Sequence, residues 1–202
     1  MLEIKKFPQL TFDEESHIYK LNGFVIPSVT TLMKPLSEVH YKGIDDEVLL
    51  RAAERGTDVH SAVETYANYG VIDIEPEFEG YLRAAISWMK EYDVKPFASE
   101  SRLYHKTLRY AGTADMGCEE RGINTLVDFK TASSISPMLC GVQLEAYRKG
   151  YESHEIRYDN AVIVQLRSDG TYSRYTDFPP RHECWKVFTS LLIVSGFAQK
   201  YK

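Results

Sequence analysis

Asp128, Phe129 and Lys130 lie inside the run Thr125-Leu126-Val127-Asp128-Phe129-Lys130-Thr131-Ala132. In a strand, alternate residues share a face, so Asp128 and Lys130 point the same way and Leu126 lies deeper along that face. A second acid, Asp115, closes Ala111-Gly112-Thr113-Ala114-Asp115. Two acids on neighbouring strands can grip a hard cation while an ammonium stands beside it, which is the equipment for metal-assisted phosphodiester hydrolysis. Lys130, flanked by carboxylates, is expected to stay protonated and to act by charge and position rather than as a free base.

Two helical segments add polar groups. His60 sits in Arg55-Gly56-Thr57-Asp58-Val59-His60, and Glu64, four residues on, is placed to accept the other imidazole N–H. Gln143 and Tyr147 fall at i and i+4, on one helix face about a turn apart, and bring hydrogen-bonding tips without negative charge. Glu100, in the segment before Asp115, is a further acid that could lean toward the cation or be an exposed strand residue. Each feature alone is weak, and their order along the chain gives them weight.

The elements that must position these residues can be read from pattern. Leu10–Phe12 and His17–Leu21 alternate as a hairpin ending at Asn22-Gly23. Pro27-Ser28 starts a short helix from Val29 to Met33, with Pro35 as its stop. A longer helix is expected from Asp45 to Tyr69, closed by Gly70, and a third from Pro76 to Tyr92 with Phe78, Leu82, Ala85 or Ile86 and Met89 buried. Three β segments follow, at 97–105, 107–117 and 124–132, with Arg121-Gly122 turning between the last two. A helix over 137–151, a hairpin of 160–167 and 172–178 around Ser168-Asp169-Gly170, and a helix from Pro180 complete the chain. The expected fold class is α/β, one domain with a mixed central sheet flanked by helices: an N-terminal hairpin and short helix (1–44), a core (45–165) and a C-terminal strand and helix (166–202).

Composition sets limits. The 202 residues, 44% hydrophobic, suffice for one substantial core. The opening Met1-Leu2-Glu3-Ile4-Lys5-Lys6-Phe7-Pro8 lacks the apolar run of a signal peptide, and no stretch approaches the roughly 18 to 20 apolar residues of a membrane span, so a cytoplasmic protein without membrane partners is expected. Cys118, Cys140 and Cys184 are too few and too scattered for a zinc or iron-sulfur set. The net charge of -5 argues against a general nucleic-acid coat but not against a nuclease, whose acids are neutralised by the cation. Arg102, His105, Lys106 and Arg109, with Arg148 and Lys149, are candidate phosphate guides or simply a solvated face.

The ordered set of helical His60, Gly112-x-x-Asp115, Asp128-x-Lys130 and Gln143-x-x-x-Tyr147 resembles the RecB-like branch of the PD-(D/E)XK nuclease superfamily, over roughly residues 50–165. Asn22-Gly23-Phe24-Val25-Ile26-Pro27-Ser28-Val29-Thr30-Thr31 is similar to the opening of phage members. The resemblance implies a restriction-endonuclease-like αβββαβ core. It implies that His60, Asp115, Asp128 and the Phe129 carbonyl ligate Mg²⁺ or Mn²⁺, that Lys130 is catalytic, and that the helix of Gln143 and Tyr147 supports the lysine and the substrate strand. It implies a metal-dependent deoxyribonuclease acting on DNA, an exonuclease of phage or bacterial recombination, replication or repair, with a single-strand-binding or annealing protein or a helicase as candidate companions. A structure- or site-specific endonuclease, or an idle DNA- or partner-binding module, remain alternatives, and the oligomeric state stays open. Some relatives hold an iron-sulfur cluster with one cysteine before the histidine motif; no cysteine precedes His60, so none is expected. No Gly-x-x-x-x-Gly-Lys-Ser/Thr loop is present, so helicase work would fall to a partner.

Overall fold

A computed structural model describes residues 7–201. Residues 1–6, on which the leader-free reading partly rests, lie outside the described residues. The chain runs β1 (Leu10–Asp13), β2 (Ile18–Leu21), β3 (Phe24–Ile26), α1 (Val29–His40), α2 (Asp46–Tyr69), a 3₁₀ turn (Pro76–Phe78), α3 (Glu79–Glu91), β4 (Val94–Tyr104), β5 (Ala111–Glu120), β6 (Ile123–Lys130), α4 (Pro137–Glu152), β7 (Asn160–Leu166), β8 (Tyr172–Tyr175) and α5 (Arg181–Lys200). From α3 to β7 the order is αβββαβ. The fold is α/β.

The five-stranded sheet has the order β4-β5-β6-β7-β8, and only β6 and β7 are parallel. A parallel pair needs a crossover, and α4 provides it. Because alternate residues of β6 face opposite ways, Leu126 enters the core shared with α1, α4 and α5, while Val127 and Phe129 enter the core shared with α2 and α3. The sheet is thus a middle layer with helices on both sides. A third cluster joins β1, β2 and β3 to Tyr104 and Ala111.

Helix ends follow the expected chemistry. Asp45 caps α2 by accepting from Glu47 N, and Gly70 closes it in the left-handed conformation. Ser28 caps α1 and Ser136 caps α4, with Pro137 at its first turn.

Several boundaries depart from the sequence reading. Pro35 does not stop α1, which continues to His40. Thr31, whose carbonyl loses its partner, and Pro35 are both exposed, so water can serve that carbonyl while Val29, Leu32 and Met33 anchor the buried face. Asn22-Gly23 does not end a two-stranded hairpin but turns into β3, with both residues at positive φ as a tight hairpin requires. Residues 107–110 are not strand: His105 Nδ1 accepts from Thr107 N and Leu108 N and ties them into a turn, so β5 begins at Ala111. The helix expected from Pro76 begins as a 3₁₀ turn, and β4 starts at Val94 rather than Phe97.

Candidate metal centre

Strand register gathers the acids. Pairing of β5 with β6 ends at Met116↔Val127, so the next residues on that register are Asp115 and Asp128. On the other side Ser99↔Met116 and Ser101↔Ala114 bracket Glu100, placing it opposite Asp115. Three acids therefore occupy one row across three strands. Like charges side by side across a ladder destabilise it, and Glu100 adds a left-handed backbone, φ 42°, which costs a side-chain-bearing residue on the order of 1–3 kcal/mol. Both features make poor sense for stability alone.

The α2 helix brings His60 to this row. One ligand atom each from His60, Glu100 and Asp115 lies within 4.8 Å of the others. His60 Nε2 donates to the Phe129 carbonyl at 3.1 Å, and Nδ1 lies 3.5 Å from Asp115 Oδ2. Asp115 Oδ2 also accepts from Phe129 N at 2.7 Å, so the acid is fixed to the backbone of the strand that carries Asp128. Burial and the charge of Asp128 outweigh His60 and hold the Asp115 carboxyl at about 6. Burial, then the charges of Asp115, Glu64 and Asp128, hold Glu100 at about 8. Crowded, half-buried acids of this kind with an imidazole fit a hard divalent cation, whose charge would restore their ionised forms. One nitrogen in the set suits Mn²⁺ without excluding Mg²⁺.

Asp128 stands beside this trio, not within it, and is almost fully buried, 2% exposed. Its Oδ2 meets Lys130 Nζ at 2.6 Å, and its Oδ1 accepts from Gln143 Nε2 at 2.8 Å. The Gln143 amide also donates to the Tyr147 hydroxyl at 3.1 Å and accepts from Lys130 Nζ at 3.1 Å. Only one amide orientation serves a carboxylate and an ammonium at once, so Gln143 locks the pair. Burial works against the Lys130 charge, but Asp128 and Asp115 hold its pKa above the usual lysine range, so it remains an ammonium. Burial, then the Asp128 charge, raises the Tyr147 phenol well above its usual value, and it too stays protonated.

His60, Glu64, Glu100, Asp115, Asp128, Lys130, Gln143 and Tyr147 all line one cleft of about 1160 Å³, whereas His105, Lys106, Arg109, Arg148 and Lys149 lie outside its lining. The structure shifts three roles. Glu100, a secondary candidate from sequence, is part of the tight trio. Glu64 does not accept from His60, whose ring nitrogens face Phe129 and Asp115, and it borders the cleft. Tyr147 is buried and reaches the centre through Gln143. Its ring passes so close to Gly112 that a Cβ there would lie 2.7 Å from it, which is the physical reason for a small residue three before Asp115.

Among the basic candidates, Arg148 is committed to the Tyr158 carbonyl and Lys149 to Glu152, while Arg102 lines the cleft beside Glu14. Sequence reasoning missed Gln165. It sits opposite Lys130 on β7 and donates to the carbonyls of Ala132 and Ser133, fixing the loop that leaves the centre. Only the parallel register reveals it.

No family model and no curated protein matches the chain. Among solved structures, one described as "Crystal structure of SSO0001" aligns with a TM-score of 0.34 and 10% identity, covering 81% of this chain and 84% of that one, a likeness too loose to carry an argument. No helix among the described residues is long and apolar enough to cross a membrane.

Proposed function

We propose that the protein is a divalent-metal-dependent DNA nuclease of the RecB-like PD-(D/E)XK type, acting as an exonuclease. The observation that carries this reading is the meeting, in one cleft, of the His60, Glu100 and Asp115 trio with the Asp128, Lys130 and Gln143 lock. Mg²⁺ or Mn²⁺ held by His60, Asp115, Asp128 and Glu100, with the Phe129 carbonyl, would supply Lewis acidity toward a phosphate oxygen and activation of water.

The chain's own groups do the rest. Lys130, kept charged by Asp128, offers a compact cation to the negative charge that grows on the phosphorane. Gln143 prevents Lys130 and Asp128 from collapsing into an undirected pair by holding one atom of each. Tyr147, neutral and packed over Gly112, fixes the amide of Gln143 and adds no charge that would repel phosphate. The αβββαβ order supports the same reading, since it is the core that the resemblance implies.

The deciding experiment is incubation of end-labelled linear DNA and closed circular DNA with Mg²⁺ or Mn²⁺. Loss of terminal label as short products, with circles intact, is the expected result; cut circles would reassign the protein as an endonuclease. A folded protein that cleaves neither substrate with either metal overturns the proposal.

A further inference from the structure

The sheet of β1, β2 and β3 packs one cluster that includes the buried Tyr19, with Phe12 against its edge. Its Leu10, Leu21 and Ile26 are buried with Tyr104 and Ala111. Phe12 on β1, Tyr19 on β2 and His17 in the turn between these strands all border the cleft of the candidate metal centre. Phe12 is half-buried, with the Tyr19 ring against it, and His17 is exposed. Phe12 lies 4.4 Å from the Tyr19 ring and 5.8 Å from the His17 ring, centroid to centroid.

This wall is latched to the centre. The Tyr19 and Thr113 hydroxyls are 2.7 Å apart, and Thr113 lies two residues before Asp115 on β5. Two strand residues span about 7 Å. The Tyr19 ring and its hydroxyl contact with Thr113 therefore join Phe12 to the strand that carries Asp115. The guanidinium of Arg102 stands 5.4 Å from the Phe12 ring centre. Its partner Glu14 is 82% exposed at 3.3 Å, a pair that water already weakens and that a phosphate could replace.

We propose that Phe12 and His17 form a stacking platform for unpaired bases and Arg102 a contact for the adjoining phosphate, so that the cleft receives a single DNA strand. The occupant is argued from the complementarity of one aromatic face and one cation in a cleft continuous with the metal centre. Bases inside a duplex present no free ring face to Phe12. This inference rests on the nuclease reading for the identity of the polymer, but its test reads binding and not cleavage.

The test is fluorescence anisotropy in Ca²⁺ with three labelled probes: an oligothymidylate, an abasic strand of equal length and a blunt duplex. Wild type should bind the oligothymidylate most tightly. Phe12→Leu should weaken that binding about tenfold, within the range for loss of one stacked base, and leave the abasic strand unaffected. Phe12→Trp, which restores a ring, should keep wild-type affinity and guards against a folding defect in the leucine variant. The proposal is overturned if Phe12→Leu weakens the abasic strand equally, if it leaves oligothymidylate binding intact, or if the duplex binds as tightly as the single strand. Tighter binding of oligouridylate than of oligothymidylate overturns the choice of DNA. Failure of the cleavage assay with success here would remove the nuclease reading and leave a single-strand-binding cleft.

Discussion

At the scale of residues, the proposed centre separates groups that would hold a cation from groups that would act beside it. Asp115→Asn and Asp128→Asn should each abolish metal-dependent cleavage while far-UV circular dichroism stays unchanged, because the shape is kept and a ligand charge is lost. Lys130→Ala should slow single-turnover cleavage by about 100- to 1000-fold with metal affinity nearly intact, since removal of a preorganised charge contact acts on the transition state. A rate within a few-fold of wild type would reduce Lys130 to an ion-pair residue. Gln143→Leu tests the lock: it removes the amide from Asp128 Oδ1 and from Lys130 together while their ion pair remains, so it should lower kcat more than it raises the metal requirement. Asp128 and Lys130 were legible in the sequence because strand alternation alone sets their relation. The place of Glu100 was not, because it depends on pairing across β4 and β5 and on a left-handed backbone that no local pattern announces.

At the scale of elements, the helices are held to the sheet by close approaches that leave no room for a methyl group. A Cβ on Gly80 at the start of α3 would lie 1.7 Å from the Ser168 carbonyl oxygen in the turn after β7. The obstacle is backbone and cannot swing aside. Gly80→Ala should therefore cost about 1–3 kcal/mol or more, read as a lowered denaturant midpoint, with metal affinity per folded molecule unchanged. At the far end of the sheet Arg174 on β8 makes two 2.7 Å hydrogen bonds to Glu120, which is buried at the end of β5. Arg174→Ala strands that carboxylate and should cost about 3–5 kcal/mol by the same assay, whereas replacing both partners with apolar residues should cost much less. The element order was readable because periodicity and turn residues mark each segment. The continuation of α1 through Pro35 was not, because it depends on which side of the helix meets water, and β3 was passed over although Asn22-Gly23 is a hairpin signal.

At the scale of the whole molecule, β6 and β7 are the common property of both cores. Their amides at Val127, Phe129, Val162 and Val164 lie in fully buried surroundings between the two helical layers, and should exchange with solvent only on global unfolding, while those of edge strand β8 exchange earlier. Hydrogen exchange followed by mass spectrometry would show the order. The cysteines belong to the same interior. Burial pushes the Cys118 thiol up to about 12 and the Cys140 thiol up to about 11, so native protein should resist alkylation at both until it is denatured.

The crossover between β6 and β7 also fixes when the centre can exist. Asp128 and Lys130 leave the ribosome ahead of all of α4, and so before Gln143, which locks them, and before Ile163 and Gln165, which pair beside them. At an elongation rate of about 5–20 residues per second the growing chain carries these charges for seconds without α4 and β7 to enclose them. On the proposed nuclease reading, competence would be a late product of translation, and a chain halted before β7 should be inert toward DNA however well its earlier strands have paired.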